Sequence, residues 1–236
     1  MITLPIEHKD IQALHYQLLN KDIKVISCVG ITERVGTTSI AYALARRFSA
    51  SGAKTLLIDL DRVGYKLSTQ LACPNQDWTP ETIGKINAVN RMGRTGLSVL
   101  SAPSATSLHW SFKERSLLQK MLSDFKREYD VIVIDTGSII QTKEKTIPAE
   151  IISSVSDICI PIILSGKTNE TDVIKAQKVL NDHGTNVQGM IMNDYKNPPL
   201  SEEIARTLRR LTFLRPKYIE RWSEKIERVS FLSQRL

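Results

Sequence analysis

Lys24-Val25-Ile26-Ser27-Cys28-Val29-Gly30-Ile31-Thr32-Glu33-Arg34-Val35-Gly36-Thr37-Thr38-Ser39-Ile40-Ala41 is the stretch on which the fold turns. Its first six residues are apolar or small and do not alternate with polar ones, the pattern of a parallel strand covered on both faces. A Gly/Thr-rich turn follows, and the spacing predicts a helix over Thr38–Ala50. A strand that delivers the chain through such a turn into a helix aims backbone N–H groups at an anion. Loops of this kind read G-x-x-x-x-G-K-[ST], where the Lys reaches the terminal phosphates and the hydroxyl holds Mg²⁺. Here Gly36 and Thr38 are in place, Thr37 stands where Lys belongs, and the leading glycine position is Ile31, one residue after Gly30. On its own this is also the pattern of an ordinary strand-to-helix turn.

Working outward, further apolar runs appear at Thr55–Ile58 (TLLI), Val131–Ile134 (VIVI) and Ile158–Leu164 (ICIPIIL). Shorter ones lie at Leu97–Leu100 (LSVL) and Gly189–Met192 (GMIM). Helical segments are predicted between them at Phe112–Glu128 and Glu170–Asp182. Leu117, Leu118, Met121, Leu122 and Phe125 fall on one helical face of the first. Gly52, Gly166 and Gly184 stand where elements should stop. Strand and helix alternate to about residue 195, which predicts an α/β fold with a mostly parallel sheet. Two of the strands end in carboxylates: Thr55–Arg62 (TLLIDLDR) and Tyr129–Thr136 (YDVIVIDT). Ligands of open α/β sheets bind beyond the carboxyl ends of the strands. Asp61 and Asp135 are therefore expected to converge on the crevice that the loop borders, where carboxylates hold Mg²⁺ directly or through water.

Composition narrows the classes. The 236 residues are 42% hydrophobic, enough for one sizeable core and too much for a disordered or low-complexity chain. No run of about 18 apolar residues is present, and the N-terminal stretch lacks the basic and apolar regions of a secretory signal. Cys28, Cys73 and Cys159 give neither a disulfide framework nor a metal pattern, so the chain reads as cytoplasmic. The four histidines form no ligand spacing, and Trp78 and Trp110 read as packing residues. The formal charge of +7 is unevenly placed: residues 196–236 hold ten Lys/Arg against five Glu, which is +5 of the +7. A general nucleic-acid coat is therefore a poor expectation.

After Asn197-Pro198-Pro199 a helix is predicted from Ser201, and a last one over Lys217–Leu232. The latter carries an apolar stripe of Ile219, Trp222, Ile226, Val229 and Leu232 beside Arg221, Lys225 and Arg228. Three roles stay open for residues 217–236: packing on the chain's own sheet, docking a partner protein, or peripheral contact with an anionic membrane. Interleaved Glu220, Glu224 and Glu227 weigh against the membrane.

Val35-Gly36-Thr37-Thr38-Ser39, LLIDLDR and YDVIVIDT together resemble the Walker A, Walker A′ and Walker B elements of the ParA/MinD superfamily of P-loop ATPases. Within it the chain looks most like the bacterial tyrosine kinases of capsule and exopolysaccharide systems. Gly96–Ala105 (GLSVLSAPSA) is similar to their strand and loop before Walker B, and Ser165–Tyr195 to the region after it. The resemblance, which covers roughly residues 8–195, implies a three-layer P-loop fold for residues 1–195; the charge and helical spacing above add a basic helical C-terminal extension at 196–236, packed on it or docking a partner. It implies nucleotide contacts from Arg34, Gly36, Thr37, Thr38 and Ser39, with adenine near Asn193. Mg²⁺ would lie near Thr38, Asp59, Asp61 and Asp135, with Asp61 as candidate catalytic residue. It further implies a homodimer and an inner-membrane polysaccharide synthesis or export protein as partner.

The departures shape the functional expectation. Both lysines of a ParA-type loop (K-G-G-V-G-K-T-T) are threonines, Thr32 and Thr37, and Glu33 adds a negative charge beside the phosphate position. The C-terminal tyrosine cluster of those kinases is missing, since only Tyr195 and Tyr218 lie in the last 42 residues. Their E-x-x-R-x-x-R oligomerisation pattern is missing too, because no Arg precedes Arg34. The sequence thus points to a degenerate relative, a regulatory or scaffolding protein of polysaccharide synthesis or export with little or no kinase or ATPase activity. ATP or ADP with Mg²⁺ would be bound weakly or no longer bound. The competing expectation is a working ATPase that positions DNA or an envelope complex, with Arg34 or a partner chain replacing the lost charge.

Overall fold

The computed structural model describes residues 4–19, 22–61, 66–93, 95–104, 110–140 and 146–195. The helices expected from Ser201 and over Lys217–Leu232 lie outside the described residues. The chain divides into a large unit, 1–163 with 168–191, and a small one containing 164–167 and 192 onward.

The helices are α1 (Lys9–Leu19), α2 (Thr37–Ala50), α3 (Lys66–Leu71), α4 (Arg115–Glu128), α5 (Ala149–Ser154) and α6 (Glu170–Asp182). Among the described residues the sheet has seven strands: β1 (Val25–Gly30), β2 (Thr55–Asp59), β3 (Val89–Arg91), β4 (Leu97–Leu100), β5 (Val131–Ser138), β6 (Ile158–Leu164) and β7 (Ile191–Asn193). Strands β1 to β6 run in the order β3-β4-β2-β5-β1-β6. All pairings among them are parallel except β3 with β4.

Burial on both faces explains why these strands read as continuous apolar runs. Every residue of β1, β2 and β4 is buried. Leu56, Ile58, Ile132 and Ile134 alternate into one cluster with Trp78, Phe112, Leu118, Met121 and Leu122. Leu57 and Val133, one residue out of phase, are fully buried as well and face the other side of the pleat. Helix α2 packs on β1, β2 and β5 through Ile40, Ala41, Leu44 and Phe48, its alanines permitting close approach. Gly52 and Gly184 adopt φ of 96° and 68° where α2 and α6 end, as expected of helix stops.

Some boundaries moved. Helix α4 starts at Arg115 rather than Phe112, because Trp110–Lys113 winds as a 3-10 turn ahead of it. The last strand is Ile191–Asn193 rather than 189–192. An isolated parallel bridge, Cys159 to Val187, precedes it, and Gly189 lies in the irregular stretch between. Trp78 does pack: it is 1% exposed, its Nε1–H donates to the Ser101 carbonyl at 2.8 Å, and it meets Phe112 edge-on. Trp110 does not, being 56% exposed, so the reading of it as a packing residue is corrected. The 3-10 turn buries Ser111 and Phe112 instead. His15 is buried between α1 and α2, with Nε2 3.0 Å from Ser51 Oγ and its ring edge-on to Phe48.

The edge of the sheet where β1 and β6 begin is tied by Asp157. Its carboxylate accepts the backbone N–H groups of Lys24 and Val25 at 2.9 and 2.8 Å and meets Lys126 Nζ at 2.8 Å. Burial raises its pKa, but the Lys126 hydrogen bond, the two N–H bonds and the ammonium charge outweigh that, and the carboxyl titrates below its ordinary 3.8. A depressed folded-state pKa contributes stability that is complete above 3.8 and lost as the pH falls through the folded value. Asp157→Ala should therefore cost about 1–2 kcal/mol at pH 7, a figure discounted for the partial exposure of the pair. Urea midpoints of the two proteins should converge below pH 3.8; a gap that persists into acid would show that the carboxylate's charge is not the cause.

Candidate functional site: a phosphate loop without lysine

Three hydrogen bonds fix the point where the chain leaves the sheet. The Ile31 N–H donates to the Ile162 carbonyl at 2.9 Å, and the carbonyls of Gly30 and Ile31 accept from Ile139 and Ile140 at 2.9 and 3.0 Å. Thr136 Oγ1 donates to the Cys28 carbonyl one step earlier, at 3.0 Å. The loop that follows bends through two left-handed residues, Arg34 at φ 62° and Gly36 at φ 95°, with buried Val35 between them. Gly36 is the N-cap of α2, so the helix opens on backbone N–H groups with no side chain capping them from that position. Alternating left-handed residues at a helix N-terminus form a concavity suited to an oxyanion.

Gly30 forms the floor of the turn. A Cβ there would lie 2.9 Å from the Thr32 carbonyl oxygen, 2.9 Å from Thr37 Oγ1 and 3.1 Å from Val35 Cγ2. The Thr37 hydroxyl is thus folded down over Gly30, where a lysine at this position would reach forward to a ligand. Thr32, at the other expected lysine position, is 6% exposed, with Oγ1 3.5 Å from Thr168 Oγ1. A neutral hydroxyl contact is found where the resemblance led to the expectation of a cation. Sequence reasoning missed Thr168, since 136 positions separate it from Thr32 and no local pattern marks it. Thr38 is buried, Ser39 is half-buried and Arg34 is exposed.

The carboxylates stand at the carboxyl ends of neighbouring strands. Asp59 and Asp135 are direct register partners across β2 and β5, at 1% and 0% exposure. Asp61, expected to converge with Asp135, lies two residues beyond the end of β2, half-buried, and its N–H donates to Asp59 Oδ1 at 3.0 Å. The pair that the sheet brings side by side is therefore Asp59 with Asp135. Asp135 is also the register partner of Cys28 on β1. Burial pushes the Cys28 thiol well above its ordinary pKa, and the Asp135 charge raises it further, so the thiol under the loop stays neutral. Two adjacent carboxylates with the Thr38 hydroxyl at the start of α2 are the hard oxygen donors that suit Mg²⁺. Among the described residues no group of three or more His, Cys, Asp or Glu could hold a metal ion. Asn193 belongs to the small unit, where its Oδ1 accepts the Tyr195 N–H at 3.1 Å. Among the described residues, no helix is long and apolar enough to cross a membrane.

A parallel sheet, a glycine-floored loop leading into α2, and carboxylates at the ends of β2 and β5 define a P-loop α/β fold of the ParA/MinD type. The chain's sequence relatives are bacterial tyrosine-protein kinases. It is 24% identical over 192 residues to tyrosine-protein kinase CpsD of Streptococcus pneumoniae, covering 79% of this chain and 83% of that one. The kinase domain of the Escherichia coli tyrosine kinase ETK superposes with a TM-score of 0.62 at 20% identity, covering 77% of this chain and 71% of that one. MinD of Pyrococcus horikoshii OT3, solved with Mg-ADP, gives 0.56 at 22% identity over 73% of this chain and 70% of that one. No family model matches the chain.

Proposed function

We propose that this chain is a regulatory or scaffolding component of bacterial surface polysaccharide synthesis or export, built on a nucleotide-binding fold whose phosphoryl transfer is slow or lost. One observation carries the reading: the loop keeps the backbone shape of a phosphate cradle, while hydroxyls occupy both positions where lysines are expected. Removing a cation that contacts transferring phosphoryl oxygens costs roughly 3 kcal/mol of transition-state stabilisation in comparable sites. The place in polysaccharide production rests on the likeness to tyrosine-protein kinases. ATP or ADP would be cradled by Gly36, Thr37, Thr38 and Ser39, with Mg²⁺ held by Thr38, Asp59 and Asp135 and reached by Asp61. Asn193 is the proposed adenine contact. Bound nucleotide would supply an anion that favours one conformational state over another rather than a group to be transferred. A homodimer and an inner-membrane partner protein belong to the same reading, with residues 196–236 as the extension that meets the partner, the membrane surface or the chain's own sheet.

A titration with ATP and Mg²⁺, followed by melting temperature and phosphate release, tests it. At ten times Kd the expected rise is roughly 4 °C, corresponding to about 1.4 kcal/mol of binding linkage, with no phosphate released above background. Brisk turnover would instead favour a working ATPase that positions DNA or an envelope complex. No shift at millimolar nucleotide would leave a scaffold without a ligand.

A further inference from the structure

We infer that His15 works as a proton-operated catch: it holds α1 on α2 while its imidazole is neutral, and releases α1 when mild acid charges the ring, uncovering the face of α2 beneath.

Helix α1 lies ahead of β1, contributes no strand to the sheet and packs chiefly on α2. Its buried residues are Ile11, His15 and Leu18, four and three positions apart, so they form one face with the imidazole at its centre. Phe48 of α2 meets that ring edge-on, at 4.7 Å between centroids, and Nε2 lies 3.0 Å from Ser51 Oγ. The Ser51 hydroxyl donates its own hydrogen to the Phe48 carbonyl at 2.7 Å, so toward His15 it can only accept. Nε2 therefore carries the hydrogen of the neutral ring, and a second proton has to enter at Nδ1.

Neither helix supplies a carboxylate to pair with the cation that would result. Between Thr37 and Ala50, α2 has no Asp or Glu, and α1 has one, Asp10, which meets His8 at 3.5 Å. One turn to either side of His15, α1 carries Ile11, Gln12, Leu18 and Leu19. Of the charges on α2, Arg46 lies over the Tyr42 ring, and Arg47 acts on His15 with the same sign as an imidazolium. Asp22, past the end of α1, is exposed. Burial first, and Arg47 second, hold the ring below its ordinary pKa of 6.5. A histidine depressed in this way favours docking fully above 6.5, and that contribution is lost as the pH falls from 6.5 toward the docked value. The sheet keeps its bonds when α1 leaves, so the opening is local.

Hydrogen exchange of the full chain at about pH 7.5 and about pH 5.5, corrected for the intrinsic effect of pH on exchange, tests the catch. Protection of Lys9–Leu19 should fall several-fold in acid, at most about tenfold for a free ring of pKa 6.5, while β1 and β5 keep theirs. His15→Leu, apolar and without a proton to gain, should leave α1 equally protected at both pH values. The same acid loss in His15→Leu overturns the proposal, as does a loss shared by β1 and β5. Proton NMR of the His15 ring in the unaltered chain gives a check that needs no variant. A ring that titrates at or above 6.5 while α1 stays protected overturns the catch as well.

Discussion

Trp78→Ala should lower the unfolding free energy by about 4 kcal/mol, the largest single-site loss expected in this chain. The indole is 1% exposed within the cluster formed by Leu56, Ile58, Leu100, Phe112, Ile132 and Ile134, so truncation empties a volume bounded by strand residues that cannot move in. Two further contacts go with it: the edge-on contact with Phe112, at 5.4 Å between ring centroids, and the hydrogen bond to the Ser101 carbonyl. That carbonyl would be left buried without its donor, which adds to the cavity cost. Trp78→Phe should recover part of the volume and none of the hydrogen bond, giving an intermediate loss. Urea denaturation of the three proteins measures this directly; a loss below about 1 kcal/mol for Trp78→Ala would show that the region collapses around the vacancy.

Gly30→Ala should abolish the response to nucleotide and cost about 2 kcal/mol of stability. The added methyl group would meet the Thr32 carbonyl oxygen at 2.9 Å, and that atom is backbone held by the turn, so it cannot rotate aside. Thr37 Oγ1, also at 2.9 Å, can swing away, but it would swing into the cradle. Relief therefore requires the loop to open, which disperses the N–H groups that would meet a phosphate. Gly189→Ala is the control, because nothing lies within 4 Å of the position its methyl group would take. Melting curves with and without ATP and Mg²⁺ check both variants. A Gly30→Ala protein with an undiminished nucleotide shift would mean that the ligand does not sit in this loop.

The parallel core could be read from sequence because strands buried on both faces leave unbroken Val/Ile/Leu runs, as in β1, β2, β5 and β6. Elements lacking that signature escaped. Strand β3 is three residues, Val-Asn-Arg, antiparallel and less buried, with no run to detect. Helices α3 and α5 have six residues each, too few for a helical period to show. Trp110 misled because a large aromatic residue beside a helix reads as core, yet the 3-10 turn carries it to the surface. At the site, the residue types and their order were legible, but the register was not. A sequence cannot tell which of Asp59 and Asp61 faces Asp135, since that depends on how β2 aligns with β5. Nor can it show that Thr32 meets Thr168 or that Thr37 folds back over Gly30.

The sheet's two edges carry separate duties. Where the strands begin, Asp157 holds Lys24, Val25 and Lys126, and Asp130 accepts the Lys54 N–H at 2.8 Å while its own N–H donates to the Lys54 carbonyl. Where the strands end lie the loop and the carboxylates. Positions 32 and 37 lie at the opposite end of the strands from these ties, so substitution there leaves every one of them intact. A chain built this way can shed its chemistry through neutral drift and remain a folded body, free for selection to act on the surfaces it presents.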